Sequence, residues 1–450
     1  MGLNIFTTEF EELANYKFIR NDVRFLIGQT ERYLSEGIRI GKYFDTGRGR
    51  VINQEYVEEN EGVYPLYSSQ TQDDGIFGMI DTYDFDGEYL TWTTDGANAG
   101  QVFYRNGKFT CTNVCGIAKL KKGIDLEINL KFLPYLLNTI TKFYVSTASG
   151  NPKLMNNVFE EIKIPQIPKE KQDQIVIQIE PIEQKIKELK NQIQPTQTII
   201  NKVFAREFGF DLASFEELKH QSHFYLDLFN VALSKDLRSA VKFNSNKYNF
   251  LKESIFIKST FREVINLSNT TLGRQITPNF IIEESDYYYV NANSLKNFVF
   301  DETVLTPIDV DFFNKNKHLR VEQNDILLVA SGEGSIGKSA IFNSELDCIT
   351  SQFVMKIGFK KNANVQYIHY YMQSIFFQLT VEKFKKGMGN MTNIFVSQLK
   401  DFPILLSEKQ QQIVDEIKAE LGEQEKVIKT IAEERNKIDK LIENSIWNEN

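Results

Sequence analysis

Two long stretches of the chain place apolar residues at alternating steps of three and four. Ile175, Ile179, Ile182, Ile186, Leu189 and Ile193 form one seam, with Val203 and Phe204 further along. Ile413, Ile417, Leu421, Ile428, Ile431, Ile438 and Ile442 form the second, again near a period of seven. A seam this narrow suits one helix lying along another better than burial in a broad core. It predicts two paired helices of roughly 35–40 residues, each on the order of 50–60 Å long. Pro181 and Pro195 interrupt the first seam and predict a kink or break there, whereas the second runs uninterrupted. The rest of the chain is patterned differently. Residues 37–165 are rich in Tyr, Phe, Val and Ile and are punctuated by DDG, FDG and TDG, which reads as short strands and turns with a helix over 127–143. Residues 255–403 read likewise, with a helix over 364–385.

The two halves repeat one another. EKQDQIV at 170–176 returns as EKQQQIV at 408–414, an offset of 238, each after a Pro-punctuated run (IKIPQIP, DFPILL). Gly150-Asn151 answers to Gly389-Asn390, and Gly100 to Gly337 and Cys111 to Cys348, the last two at an offset of 237. FEEL at 10–13 recurs at 215–218 with a different offset. Two copies of one long period are a duplication, not a solenoid, which needs several short repeats.

Composition adds exclusions. With 42% hydrophobic and 25% charged residues in 450, the chain is an ordinary globular one with ample core, and Gly 25, Pro 10 and Cys 3 exclude collagen and disulfide-scaffold classes. Three cysteines, no signal peptide and no apolar run near the ~18 residues of a membrane span predict a soluble, cytoplasmic protein. A net charge of −8 argues against indiscriminate nucleic-acid binding but leaves room for a reader whose basic residues are local.

Catalytic motifs fall away one by one. GEGSIGKS at 332–339 fits the phosphate-loop spacing, but the residues after it alternate like strands, and such a loop must open a helix whose amides hold the phosphates. The matching first-half stretch, DGANAGQV, has Gln101 where Lys338 stands. Neither an Asn/Asp-Pro-Pro-aromatic methyl-transfer loop nor a Gly-rich cofactor turn is present. His220 and His223 share a helical face without metal-ligating neighbours, and Cys111 and Cys115 read as buried strand cysteines. No catalytic residue, metal site or cofactor of its own is expected.

A strand-and-turn domain, a Gly-Asn loop, a Pro-bounded strand and then EKQxQIV opening a long helix, all in duplicate, resembles the DNA-specificity subunit of Type I restriction-modification systems. The resemblance covers roughly 37–447 and rests on IPKEKQDQIV, LLSEKQQQIV, YPLYSSQTQDDGIFG and DILLVASGEGSIGKSAIF. It implies an α/β fold with two pseudo-repeated target-recognition domains, separated and joined by two long antiparallel coiled-coil helices. It further implies that each domain reads half of a split site in double-stranded DNA. The partners would be two adenine methyltransferase subunits, with restriction/translocase subunits in the full complex, and no membrane. The expected organisation is an N-terminal helical segment (1–36), recognition domain 1 (37–166), a central spacer helix (167–208), a connecting segment (209–254), recognition domain 2 (255–406) and a C-terminal spacer helix (407–450). The related Type IIB specificity chains, a coiled-coil scaffold without base readout and a nucleotide-binding protein are the alternatives.

Candidate DNA contacts lie in the turns. TGRGR offers Arg48 and Arg50, and LGRQ offers Arg274 and Gln275; Arg can bridge guanine O6 and N7, Gln and Asn can pair with adenine. Ser68, Ser69 and Gln70 follow a strand in the first half as Asn291 and Asn293 do in the second. Asn98, Asn151 and Lys153 complete the first set, and Ser335, Lys338, Lys386, Asn390 and Thr392 the second, where small residues let backbone approach phosphate.

Overall fold

The computed structural model describes residues 37–124, 127–147, 150–219, 259–332, 334–387 and 392–446. They fall into two compact units, residues 1–191 with 428–450, and residues 192–427. In the first unit, alternating aromatic and β-branched positions between Gly-containing turns build strands β1 (Phe44–Arg48), β2 (Glu61–Tyr67), β3 (Ile76–Ile80), β4 (Phe85–Thr93), β5 (Val102–Cys111) and β6 (Cys115–Leu120). They form one sheet in the order β1-β6-β4-β5-β2-β3, antiparallel except for the β2–β5 pair. Pro134, whose missing N–H costs nothing in a first turn, sits at the start of α1 (Leu133–Ile140), shorter than the predicted 127–143. In α2 (Asn156–Glu161), Phe159 stacks on Trp92 with ring centroids 3.9 Å apart, and the Trp92 indole donates to the Leu154 carbonyl at 3.1 Å. That stack seats the segment before α2 against the end of β4.

The second unit repeats this plan with one strand divided. Its main strands are β7 (Thr271–Leu272), β8 (Tyr287–Val290), β9 (Thr306–Pro307), β10 (Ile326–Val329), β11 (Ser339–Ile341), β12 (Asp347–Thr350) and β13 (Val354–Ile357). They form the sheets β7-β13-β10-β11 and β9-β8-β12, the counterparts of β1-β6-β4-β5 and β3-β2-β5. The long β5 thus corresponds to β11 and β12 together. Each body is closed where the chain enters and leaves it. Ile38–Arg39 pairs with Lys163–Ile164, and Ser259–Thr260 pairs with Pro403–Ile404, both antiparallel.

The helices follow the seams, with several departures. In the first unit, α3 (Lys169–Lys190) continues through the exposed Pro181 and ends at Asn191; of the kink or break predicted at the two prolines, a break occurs only before α4 (Thr196–Phe208), for which Pro195 is the preceding residue. The predicted 364–385 helix is α5 (Val365–Gln373) and α6 (Ile375–Phe384), parted at Ser374; α7 (Val396–Leu399) precedes α8 (Gln410–Ile446). Within the second unit, α4 and the start of α8 run antiparallel: Gln194 N–H donates to Gln424 at 2.8 Å and Arg206 pairs with Glu416 at 2.5 Å. Within the first unit, Lys185 of α3 pairs with Glu434 of α8 at 2.6 Å, beside the buried Ile186, Ile431 and Ile438. Ile428, a seam position by spacing, is 53% exposed, while Glu434 occupies a buried position between Lys185 and Lys437. The segment 1–36, most of the connecting segment, and His220 and His223 lie outside the described residues.

Candidate nucleic-acid interface

In the first unit, the turn between β5 and β6, Thr112-Asn113-Val114, draws together segments that are far apart in sequence. Thr112 donates its N–H to the Tyr67 carbonyl at 2.8 Å and its hydroxyl to that of Ser68 at 2.9 Å. Arg50 N–H donates to the Cys111 carbonyl at 3.1 Å, and Thr94 N–H to the Val114 carbonyl at 3.1 Å. Leu154 N–H then donates to the Thr94 carbonyl at 2.9 Å, and Gly96 N–H to the Pro152 carbonyl at 3.0 Å. Gly49 is obligatory here, since a Cβ would stand 1.8 Å from the Cys111 carbonyl oxygen.

The second unit makes the same bonds with other residues. Ser351 N–H donates to Val290 at 2.9 Å, Arg274 N–H to Thr350 at 3.1 Å and Ala330 N–H to Phe353 at 2.8 Å. Ile394 N–H donates to Ala330 at 2.8 Å and Gly332 N–H to Thr392 at 3.1 Å. A Cβ on Gly273 would stand 2.1 Å from the Thr350 oxygen. By these bonds Arg274 takes the place of Arg50, Asn291 that of Ser68, Ser335 that of Asn98 and Asn393 that of Lys153. Gly100 and Gly337 correspond, both at φ +92° in the turn that closes a hairpin. Cys111, however, corresponds to Thr350 and not to Cys348. Eleven residues separate Gly100 from Cys111, and thirteen separate Gly337 from Thr350, so the match of the two cysteines is out by one pleat, through the longer crossing from β11 to β12. Lys338 leads into strand β11, not a helix, which leaves GEGSIGKS without the amide cradle of a phosphate loop.

Most expected contacts sit on these two faces. Arg48 is exposed and donates to Asn156 at 3.1 Å; Arg50 is exposed and pairs with Asp84 at 3.0 Å, its guanidinium held above its ordinary range by the Tyr56 hydroxyl and then by Asp84. Ser69 is half-buried, Gln70 and Asn151 are exposed, and Asn98 donates to Thr71 at 2.9 Å. Lys153 pairs with Asp95 at 3.3 Å. Arg274, Gln275, Asn293 and Lys386 are exposed, Ser335 and Lys338 half-buried, and Asn291 donates to Thr306 at 3.3 Å. Thr392 is buried, and its carbonyl accepts the Gly332 N–H on this face. Asn390 lies outside the described residues.

Spacing alone missed several residues. Asn113 and Phe353 are exposed on the central turns, the latter at 44%, and Met155 and Phe395 stand exposed one residue past Leu154 and Ile394. Arg105, buried within β5, braces the loop behind Ser68–Gln70. Its guanidinium lies 3.7 Å from the Tyr67 ring centroid and 4.5 Å from that of Phe103, and it donates to Thr91 at 3.1 Å and to the Asp74 carbonyl. An arginine between aromatic positions in a strand is a weak signal of this; the hairpin register supplies the rest. The three described cysteines are free and buried, Cys115 Sγ lies 3.5 Å from Cys111 Sγ, and burial pushes the Cys348 thiol up to about 12.

The chain is similar to known proteins along most of its length. The family model described as Type I restriction modification DNA specificity domain matches residues 35–195 and again 259–434. A Mycoplasma pneumoniae chain named as a type I specificity subunit N-terminus is 47% identical over 131 residues, 29% of this chain and 68% of that relative. The Type I restriction enzyme MpnII specificity subunit of the same organism is 44% identical over 128 residues, 28% of this chain and 38% of that relative. Among solved structures, the S subunit of a Type-I restriction-modification system from M. genitalium aligns at 14% identity and a TM-score of 0.41, over 91% of this chain and 95% of that one.

Proposed function

The chain belongs to the Type I restriction-modification DNA specificity family, whose domain it carries twice, and from that premise we propose that it is the non-catalytic subunit that reads a bipartite target in double-stranded DNA. Residues 37–166 and 255–406 are the two readers in this proposal. The helical stretches 167–208 and 407–450 serve as a coiled-coil spacer between them and as the docking frame for two adenine methyltransferase subunits, with restriction/translocase subunits joining for cleavage. S-adenosylmethionine, ATP and magnesium belong to those partners. The observation that carries the reading is the hydrogen-bonded turn repeated in both units, which gathers Gly-Arg, a polar strand end and a hairpin turn onto one face each time. Arginine and amide side chains so placed suit base edges, and the glycine-tightened backbone suits phosphate.

The test is to map methylated adenine in cells that co-express the chain with its neighbouring methyltransferase, against the methyltransferase alone. A split motif that appears only with the chain is the expected result. A continuous motif would leave one reader, and no chain-dependent motif would remove the reading.

A further inference from the structure

The two faces share a backbone but not an electrostatic state. In the first, Arg50 already has a carboxylate at 3.0 Å (Asp84), and Lys153 has one at 3.3 Å (Asp95). The second face lacks both acids at the matching positions. Asp84 N–H donates to the Phe109 carbonyl at 3.1 Å, and its counterpart Val321 N–H donates to Cys348 at 2.9 Å, each two residues before the matched Cys111 and Thr350. Asp95 bridges Lys153 where Ser331 bridges Asn393. A valine and a serine therefore stand where the first face has its two carboxylates. Among the described residues, Arg274, Lys338 and Lys386 have no carboxylate within ion-pair distance, although other cations of the same unit do: Arg262 with Asp401, Arg320 with Asp347, Lys385 with Glu382.

We propose that the second recognition domain supplies the salt-dependent grip on the DNA backbone, while the first domain, with Arg50 and Lys153 already neutralised by Asp84 and Asp95, binds with little release of counterions. This rests on the reading of both faces as DNA-binding. A cation that meets phosphate releases a condensed counterion and adds about 0.9 to the slope of log K against log salt. A cation that must first leave its own carboxylate, or bring that carboxylate to the phosphate, adds close to nothing. Three free cations on one face contribute ~2.7 to the slope, about a 40-fold loss of affinity between 50 and 200 mM salt. On the first face only Arg48, bonded to the uncharged Asn156 and Met155, keeps an uncompensated charge among the three basic candidates.

The test uses the full chain with its methyltransferase subunits, binding a labelled duplex that carries the mapped motif, with affinity followed across a salt series. Replacing Arg274, Lys338 and Lys386 together by Gln is expected to flatten the slope by ~2–3. Arg50→Gln with Lys153→Gln is expected to change it by less than about 0.5, whatever it does to sequence preference. Asp84→Asn with Asp95→Asn, near-isosteric and at partly exposed sites, is expected to steepen the slope by up to ~2 and to tighten binding at low salt. Equal flattening from the two cation sets, or no steepening on loss of the two acids, overturns the proposal and leaves the DNA-binding reading in place. No change of slope or affinity from any variant, with folding confirmed by circular dichroism, removes the DNA-binding reading itself.

Discussion

Gly49 and Gly273 each hold a face together by the absence of one carbon. Alanine at either would force the strand end away from the Cys111 or Thr350 carbonyl, at about 1–3 kcal/mol, and tilt the arginine that follows. Methylation mapping of Gly49→Ala and Gly273→Ala should show each variant losing one half of a split motif, a different half in each. Arg105→Leu should act only on the first half, with a stability loss of at least about 2 kcal/mol and new proteolysis near Gln70, because the Ser68–Gly75 loop loses its brace. Lys at 105 should not rescue it, since an ammonium cannot stack flat between two rings. Two core residues of the second unit titrate in opposition. Burial lowers His369 from 6.5 to about 4, so its contribution to stability is present above pH 6.5 and lost as pH falls toward 4. Burial raises Asp325 from 3.8 to about 6, so its contribution is present below 3.8 and lost as pH rises through 6. Between these values the two contributions oppose one another in the wild type. Asp325→Asn should expose the His369 slope, at most about 1.4 kcal/mol per pH unit, and a flat Asp325→Asn profile would remove His369 from the account. Gly-Arg and the polar strand ends were legible in the sequence because turn chemistry is local. Arg105, Asp84 and the burial of Thr392 were not, because each depends on which strand lies beside which.

At the scale of elements, the seams were legible where apolar side chains alone make the contact, as at Ile175, Ile179, Ile413 and Ile417. They failed at Ile428 and at Glu434, where a carboxylate held by Lys185 and Lys437 takes a buried place in the helix pair. These lysines lower the Glu434 pKa, so its contribution is present above the ordinary glutamate range and is lost as pH falls through its lowered value. A kink or break was expected at Pro181, and the helix continues through it without a break. Pro181→Ala restores an N–H for the Ile177 carbonyl at an exposed site and should stabilise the chain by about 1–3 kcal/mol, read as a rise in calorimetric melting temperature. No rise would mean that the neighbouring backbone already satisfies that carbonyl. The cysteine match failed for a different reason. Sequence alignment counts residues, whereas the division of β5 into β11 and β12 adds two between one landmark and the next.

For the molecule as a whole, the duplication was legible from the repeated EKQxQIV and the Gly100–Gly337 pair, and so was the α/β class. The division of work between the copies was not, since it lies in the replacement of Asp84 and Asp95 by Val321 and Ser331, and neither acid is near its cation in sequence. The short strand pairs that close each body carry a further consequence. Ile38–Arg39 against Lys163–Ile164, and Ser259–Thr260 against Pro403–Ile404, bring the entry and exit of each body to adjacent strands. A body whose two ends meet can be cut out at that point and another put in its place without stretching the frame it hangs from. Exchange between chains, by recombination or by design, therefore has a natural pair of breakpoints. On the proposed reading, a hybrid joined there is expected to take its sequence preference from the donor and its fit to partner subunits from the recipient.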